Sequence, residues 1–147
     1  MPVVLRDGAE LYWEKIGTGP ALILGAGLNG SGTWWAPNRL ALAERFTVYT
    51  FDQRGTGRSS KIPVASIEQM AADLVAVMDN AGLESAHYAG HSTGGGIGVA
   101  TQAMAIAGGD IESSSGQPHP RLAPSRAAGL LGATLRTGFE DLRRAQV

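Results

Sequence analysis

Residues 90–94 read Gly-His-Ser-Thr-Gly, and with their flanks they constrain this chain more than any other stretch. Before them, Ser85–Ala89 has the length of a short core strand. After them, Ser92–Ala105 is dense in glycine and alanine and reads as a helix of small residues. A serine between strand and helix, with glycine two before and two after, fits the pattern G-x-S-x-G. The small residues let strand and helix pack closely across a tight turn. The serine between them is then held in an unfavourable backbone conformation with its Oγ exposed. The helix N-terminus sets backbone N–H groups and a positive dipole beside it. Ser92 is therefore the candidate nucleophile, and the Thr93 N–H a candidate donor to an oxyanion. An incidental serine in a glycine-rich turn is the competing reading of the pentapeptide taken alone.

The segments upstream supply the context that this pattern requires. Val3–Leu5 and Glu10–Lys15 are β-prone runs around Asp7-Gly8, a hairpin turn signal. Ala21–Leu24 is a continuous apolar run, as expected of a strand buried on both faces. A glycine-rich loop, Gly25 to Gly32, follows it. A helix is expected from near Trp35 to Glu44, with Pro37 in its first turn. Phe46–Phe51 reads as the next strand, and Asp52–Lys61 as a polar, glycine-bearing loop. Ser66 is placed to cap a helix running to about Ala81, with Met70, Leu74, Val77 and Met78 at helical spacing and Gly82 as its stop. A hairpin followed by alternating strands and helices predicts an α/β fold, a parallel sheet with an N-terminal antiparallel hairpin.

Composition narrows the function classes. The formal net charge is −1, which gives no electrostatic reason to expect nucleic acid or a membrane surface as partner. The chain has no cysteine, so disulfides, thiolate catalysis and thiolate metal sites are excluded. No apolar run approaches the roughly 20 residues of a membrane helix. The N-terminus lacks a basic stretch followed by a long apolar one, so no secretory signal is expected, and a cytoplasmic location is. Neither a metal nor a cofactor is expected.

Glycine makes up 21 of 147 residues, about twice ordinary usage. Gly25, Gly27 and Gly30 match G-x-G-x-x-G after a strand, and Asp52 ends the next strand, so a dinucleotide-binding domain is a competing hypothesis. Two features oppose it. Ser31-Gly32-Thr33 continues the loop and Pro37 suggests a later helix start, whereas a dinucleotide-binding loop has its third glycine inside the helix. The preceding hairpin is also foreign to that fold. In the serine-nucleophile reading the same loop supplies the second oxyanion N–H, from Leu28.

A third segment, Asp52-Gln53-Arg54-Gly55-Thr56-Gly57-Arg58-Ser59, lies some 35 to 40 residues before the serine motif. Its pattern D-x-R-G-x-G-x-S resembles the α/β-hydrolases of the lactonase, haloperoxidase and C–C hydrolase type. There the segment is mainly structural, which implies that Asp52 and Arg54 pin a turn near the active-site mouth. The segments Asn29–Trp35, Asp52–Gly57, Ser66–Ala71 and Gly90–Ser92 are similar to the aminoacrylate hydrolases of pyrimidine degradation and to the enol-lactonases of aromatic catabolism. Many relatives carry histidine where this chain has Ala26. The resemblance implies hydrolysis of a small metabolite at a C–N enamine or an ester or lactone bond, with a small-molecule substrate and no cofactor.

The resemblance covers residues 1–107, read as an N-terminal α/β-hydrolase core. Residues 108–147 read as a degraded strand followed by a cap-like helical segment. Such enzymes order their triad as Ser, then Asp or Glu, then a late His. Only His119 follows Ser92, in a loop. Asp110, Glu112 and Asp141 are no better as the acid than as solvated surface charges. His91 is expected to line the pocket, and His87 to be structural. The expectation is a fold truncated after about the third core parallel strand and the start of the cap, and weak or absent turnover. A non-catalytic α/β fragment or interaction module is the alternative from a different class.

Overall fold

A computed structural model describes residues 2–107, with side chains described to residue 103. The readings that fall on 108–147, including His119, Asp110, Glu112 and Asp141, lie outside the described residues.

Strands β1 (Val3–Arg6) and β2 (Ala9–Ile16) form the expected hairpin, in the antiparallel register Arg6↔Ala9. Its turn places both Asp7 (φ 46°) and Gly8 (φ 72°) in left-handed backbone, as a two-residue turn matched to strand twist requires. The chain continues through β3 (Ala21–Gly25), α1 (Ala36–Ala43), β4 (Thr47–Phe51), α2 (Ile67–Asn80), β5 (His87–Gly90) and α3 (Thr93–Ala107). One mixed sheet results, in the order β1-β2-β4-β3-β5. The hairpin joins through the antiparallel pair β2/β4, and β4/β3 and β3/β5 are parallel.

Alternation along the strands divides the core into two layers. Leu11, Trp13, Ile23, Tyr49, Phe51 and Tyr88 face α2 and α3. Leu22, Leu24 and Val48 face the other way, against Trp35 and Leu42. Helix α2 is delimited as its sequence suggests. The Ser66 side chain accepts from the Gln69 N–H at 3.1 Å, and Gln69 Oε1 accepts from the Ala65 N–H at 2.8 Å. At the other end Gly82 adopts φ 70°, and the Leu83 N–H returns to the Met78 carbonyl at 2.9 Å, a Schellman closure.

Most boundaries shift from expectation by a residue or two, and two of the shifts have a clear cause. Trp35 belongs to a 3-10 turn over Gly32–Trp35, and α1 starts one residue later with Pro37 in its first turn. Strand β5 begins at His87 rather than Ser85. Its register with β3 pairs Leu22 with His87, so Ser85 would fall opposite Pro20, which has no N–H to give and precedes the start of β3.

Candidate functional site

The sheet order puts β3 between β4 and β5, and the chain leaves β3 towards α1 on one face and β5 towards α3 on the other. Such a switch point opens a crevice beyond the carboxyl ends of the strands. The loop after β3 and the turn after β5 both lie there.

The turn after β5 is built by backbone contact. Gly25 and Gly90 are paired in the parallel ladder, and the His91 N–H extends it by donating to the Gly25 carbonyl at 3.0 Å. Ser92 then takes φ 53°, a left-handed conformation that costs a residue with a side chain roughly 1–2 kcal/mol. The chain enters α3 at Thr93, and the Gly95 N–H donates to the Ser92 carbonyl at 2.9 Å. A side chain on Gly90 would collide with the Gly94 backbone, and one on Gly94 with the carbonyls of Gly25 and Ala26. The two glycines of the motif are thus required by strand–helix contact. Below them Tyr88, fully buried, donates its hydroxyl to the Gly94 carbonyl at 2.6 Å. Burial raises the pKa of this phenol. The Ser92 side chain is left exposed.

The loop after β3 comes up against this turn. A β-carbon on Gly27 would lie 3.2 Å from His91 Nδ1 and 3.6 Å from Ser92 Cβ, so the Gly27 backbone is directly beside the serine. Leu28 follows, with its side chain exposed. The Gly30 N–H closes a turn onto the Gly27 carbonyl at 2.8 Å, with Asn29 at φ 57°. Among the described residues no acceptor pairs with the N–H of Leu28 or of Thr93. The third glycine of the G-x-G-x-x-G match lies in this loop, six residues before α1, rather than inside a helix. This geometry is unlike a dinucleotide-binding loop.

The loop after β4 clamps the loop after β3. Asp52 is 1% exposed, and its Oδ1 accepts from the Gly32 N–H and its Oδ2 from the Arg58 N–H, both at 2.8 Å. Gln53 Nε2 donates to the Ala26 carbonyl at 2.7 Å, and Thr56 Oγ1 to the Gly30 carbonyl at 3.0 Å. Arg54 turns away from the crevice. It makes two bonds to Asp73 on α2, of 3.0 and 2.8 Å, and Asp73 holds its guanidinium pKa up. Asp52 therefore ties its own loop to Gly32, Gln53 and Thr56 hold the loop that runs beside the serine, and Arg54 pins the same segment to the helix layer.

Of the histidines, His91 stacks on Trp34, with ring centroids 5.2 Å apart. His87 is exposed at the far end of β5, edge-on to Phe46. Sequence reasoning missed the parts played by Gln53, Tyr88 and Trp34, which act across loops distant in the chain. No cluster of His, Asp or Glu suited to a metal occurs among the described residues, nor does a helix long and apolar enough to cross a membrane.

Residues 20–105 match the family model described as the alpha/beta hydrolase fold. The chain belongs to the α/β-hydrolase fold family. Within it, a RutD protein of Azorhizobium caulinodans, named for carbamate hydrolysis, is 45% identical over 100 residues, which are 67% of this chain and 38% of that one. Among solved α/β-hydrolases, the enol-lactonase from Burkholderia xenovorans LB400 superposes with a TM-score of 0.65 at 33% identity, covering 69% of this chain and 41% of its own. Est816, described as an N-acyl homoserine lactone degrading enzyme, gives 0.66 at 31% identity over 69% and 40%. The chain thus spans about two-fifths of the length of these α/β-hydrolases. The resemblances drawn from the motifs hold for the fold family, for the RutD group and for the enol-lactonases.

Proposed function

We propose that this chain carries the nucleophile and oxyanion elements of a serine-type α/β-hydrolase acting on a small carbonyl metabolite, at an ester, lactone, carbamate or enamine-type C–N bond. In this reading residues 1–107 are its N-terminal core. The observation that carries the reading is Ser92. It is an exposed serine in left-handed backbone at a strand-to-helix turn, with the Gly27 backbone against its Cβ. An ordinary strand–helix connection has no need of such a conformation at a residue with a side chain.

Ser92 Oγ attacks the carbonyl carbon, and the oxygen that becomes negative is held by the N–H groups of Leu28 and Thr93. Each such donor is worth roughly 3–4 kcal/mol of transition-state stabilisation in an acyl-transfer site. The α3 N-terminus adds its positive end, with no acidic side chain in its first turn to offset it. With an ester, lactone or carbamate, the bond from the acyl carbon to the leaving oxygen or nitrogen then breaks as that atom takes up the proton Ser92 gave up, and water releases the acyl group from Ser92. His91 is turned onto Trp34 and Gly27, and His87 lies at the other end of its strand, so the proton acceptor for Ser92 comes from outside residues 2–107. The relatives named for carbamate and lactone substrates support an acyl carbon bearing oxygen or nitrogen as the reacting centre.

Treatment with a fluorophosphonate tests the reading. Peptide mapping is expected to find one slow adduct, on Ser92, absent from Ser92→Ala. No adduct, or one that persists in Ser92→Ala, removes the nucleophile from the account and leaves a non-catalytic α/β module.

A further inference from the structure

We infer that the exposed face of Trp34 is a stacking subsite that makes this site prefer acyl groups with a planar, conjugated framework. The inference rests on the reading of Ser92 as the reacting position. Trp34 and Trp35 are neighbours in one 3-10 turn and have opposite fates. Trp35 is 8% exposed, locked among Leu22, Leu24, Leu42 and Val48. With its neighbour anchored inward, Trp34 is turned outward and is 58% exposed.

The outward indole is not loose. It stacks on the His91 imidazole with an interplanar angle of 24°. The His91 backbone is tied to the Gly25 carbonyl through its N–H, and its ring packs against the Gly27 backbone, with Nδ1 3.2 Å from where a Gly27 β-carbon would stand. The same point lies 3.6 Å from Ser92 Cβ, so the imidazole that carries the indole stands beside the serine. A large aromatic face already held in place loses little freedom on binding. A flat conjugated group covers such a face with every atom, whereas a staggered saturated chain of the same length touches it with fewer.

The probes are sorbate and hexanoate, two six-carbon acids that differ in conjugation. Calorimetric titration of the 147-residue chain is expected to show sorbate binding about 3- to 10-fold tighter, the ratio that a ring stack of ordinary strength gives. Sorbate is also expected to quench tryptophan emission saturably, because Trp13 and Trp35 are buried and Trp34 is not. The preference should vanish in Trp34→Ala and persist in Trp34→Phe, with the circular dichroism of both variants matching the parent. Ser92→Ala should keep it, so failure of Ser92 labelling and failure of the stacking subsite are separate results. Sorbate binding no tighter than hexanoate, absence of binding included, overturns the inference, as does a preference that survives in Trp34→Ala.

Discussion

Two loops at the same end of the sheet are built by opposite means. The loop after β4 is polar in sequence yet buries Asp52, Gln53, Arg54, Thr56 and Ser59, each bonded to a neighbouring segment. The turn after β5 and the loop after β3 meet instead through glycine backbones, and leave Leu28, Trp34, His91 and Ser92 facing outward. Buried polar groups must be satisfied and so rigidify whatever they touch. Backbone-to-backbone packing fixes a turn equally well while leaving side chains uncommitted. The difference separates a frame from an outward-facing surface: the most charged segment is the scaffold, and the glycine-rich one presents the side chains on which the proposed chemistry rests.

The frame should be the costlier to damage. Asp73 accepts two bonds from Arg54, and Arg6 Nε lies 3.4 Å from it. Arg54 and Asp73 are nearly inaccessible to water. Asp73→Ala strands the Arg54 charge in the interior and is expected to lower unfolding free energy by about 3–5 kcal/mol in urea. A loss below about 1 kcal/mol would mean that the polar loop is solvated after all, and the contrast with the glycine turn would collapse.

The glycine turn can be broken at one position and improved at its neighbour. A β-carbon on Gly94 would sit 2.6 Å from the Ala26 carbonyl oxygen, with backbone on both sides and nothing flexible to yield. Gly94→Ala is expected to cost about 1–3 kcal/mol and to abolish fluorophosphonate labelling of Ser92. At Gly95 the nearest atom would be 3.6 Å away, an ordinary contact within a helix. There the helix preference for alanine decides the sign, and Gly95→Ala should stabilise by roughly 0.5–1 kcal/mol. Equal effects at the two sites would show that general helix propensity, rather than strand–helix contact, demands the motif glycines.

This division was only half legible in the chain. The apolar run Ala21–Leu24, the Ser66 cap and the Gly82 stop are local signals, and each became the expected element boundary within a residue. The motif around Ser92 was legible because strand, turn and helix are contiguous. What could not be read is pairing across distance. The clamp of Gln53 on Ala26 spans 27 positions and the stack of Trp34 on His91 spans 57, and neither residue type announces its partner. The start of β5 was misplaced for the same reason, since it is set by register against β3 and not by its own residues.

Ser92 itself sharpens the comparison in the opposite direction from Asp73. On the proposed function, its φ of 53° serves the placement of its side chain rather than packing. Ser92→Gly relieves the strain and is expected to raise stability by about 1 kcal/mol while eliminating labelling. A destabilised Ser92→Gly would instead make the hydroxyl a structural group.

An effect of similar size concerns a side chain that supports the glycine turn from below. Tyr88 is buried and bonded to the Gly94 carbonyl, and burial raises its pKa above the ordinary value of 10.0. A phenol harder to ionise in the fold than in the open chain contributes stability that is fully present below the unfolded value. That contribution is lost as pH rises past it towards the folded value. The chain should therefore lose stability above about pH 10, where unfolded tyrosine ionises. Tyr88→Phe should cost about 1 kcal/mol at neutral pH, the worth of one hydrogen bond, and flatten the alkaline decline. Thermal melts of both proteins from pH 7 to 11 would read the two effects together. A decline that is unchanged in Tyr88→Phe would place the alkaline sensitivity in other groups, and would reduce Tyr88 to a packing residue beneath the turn.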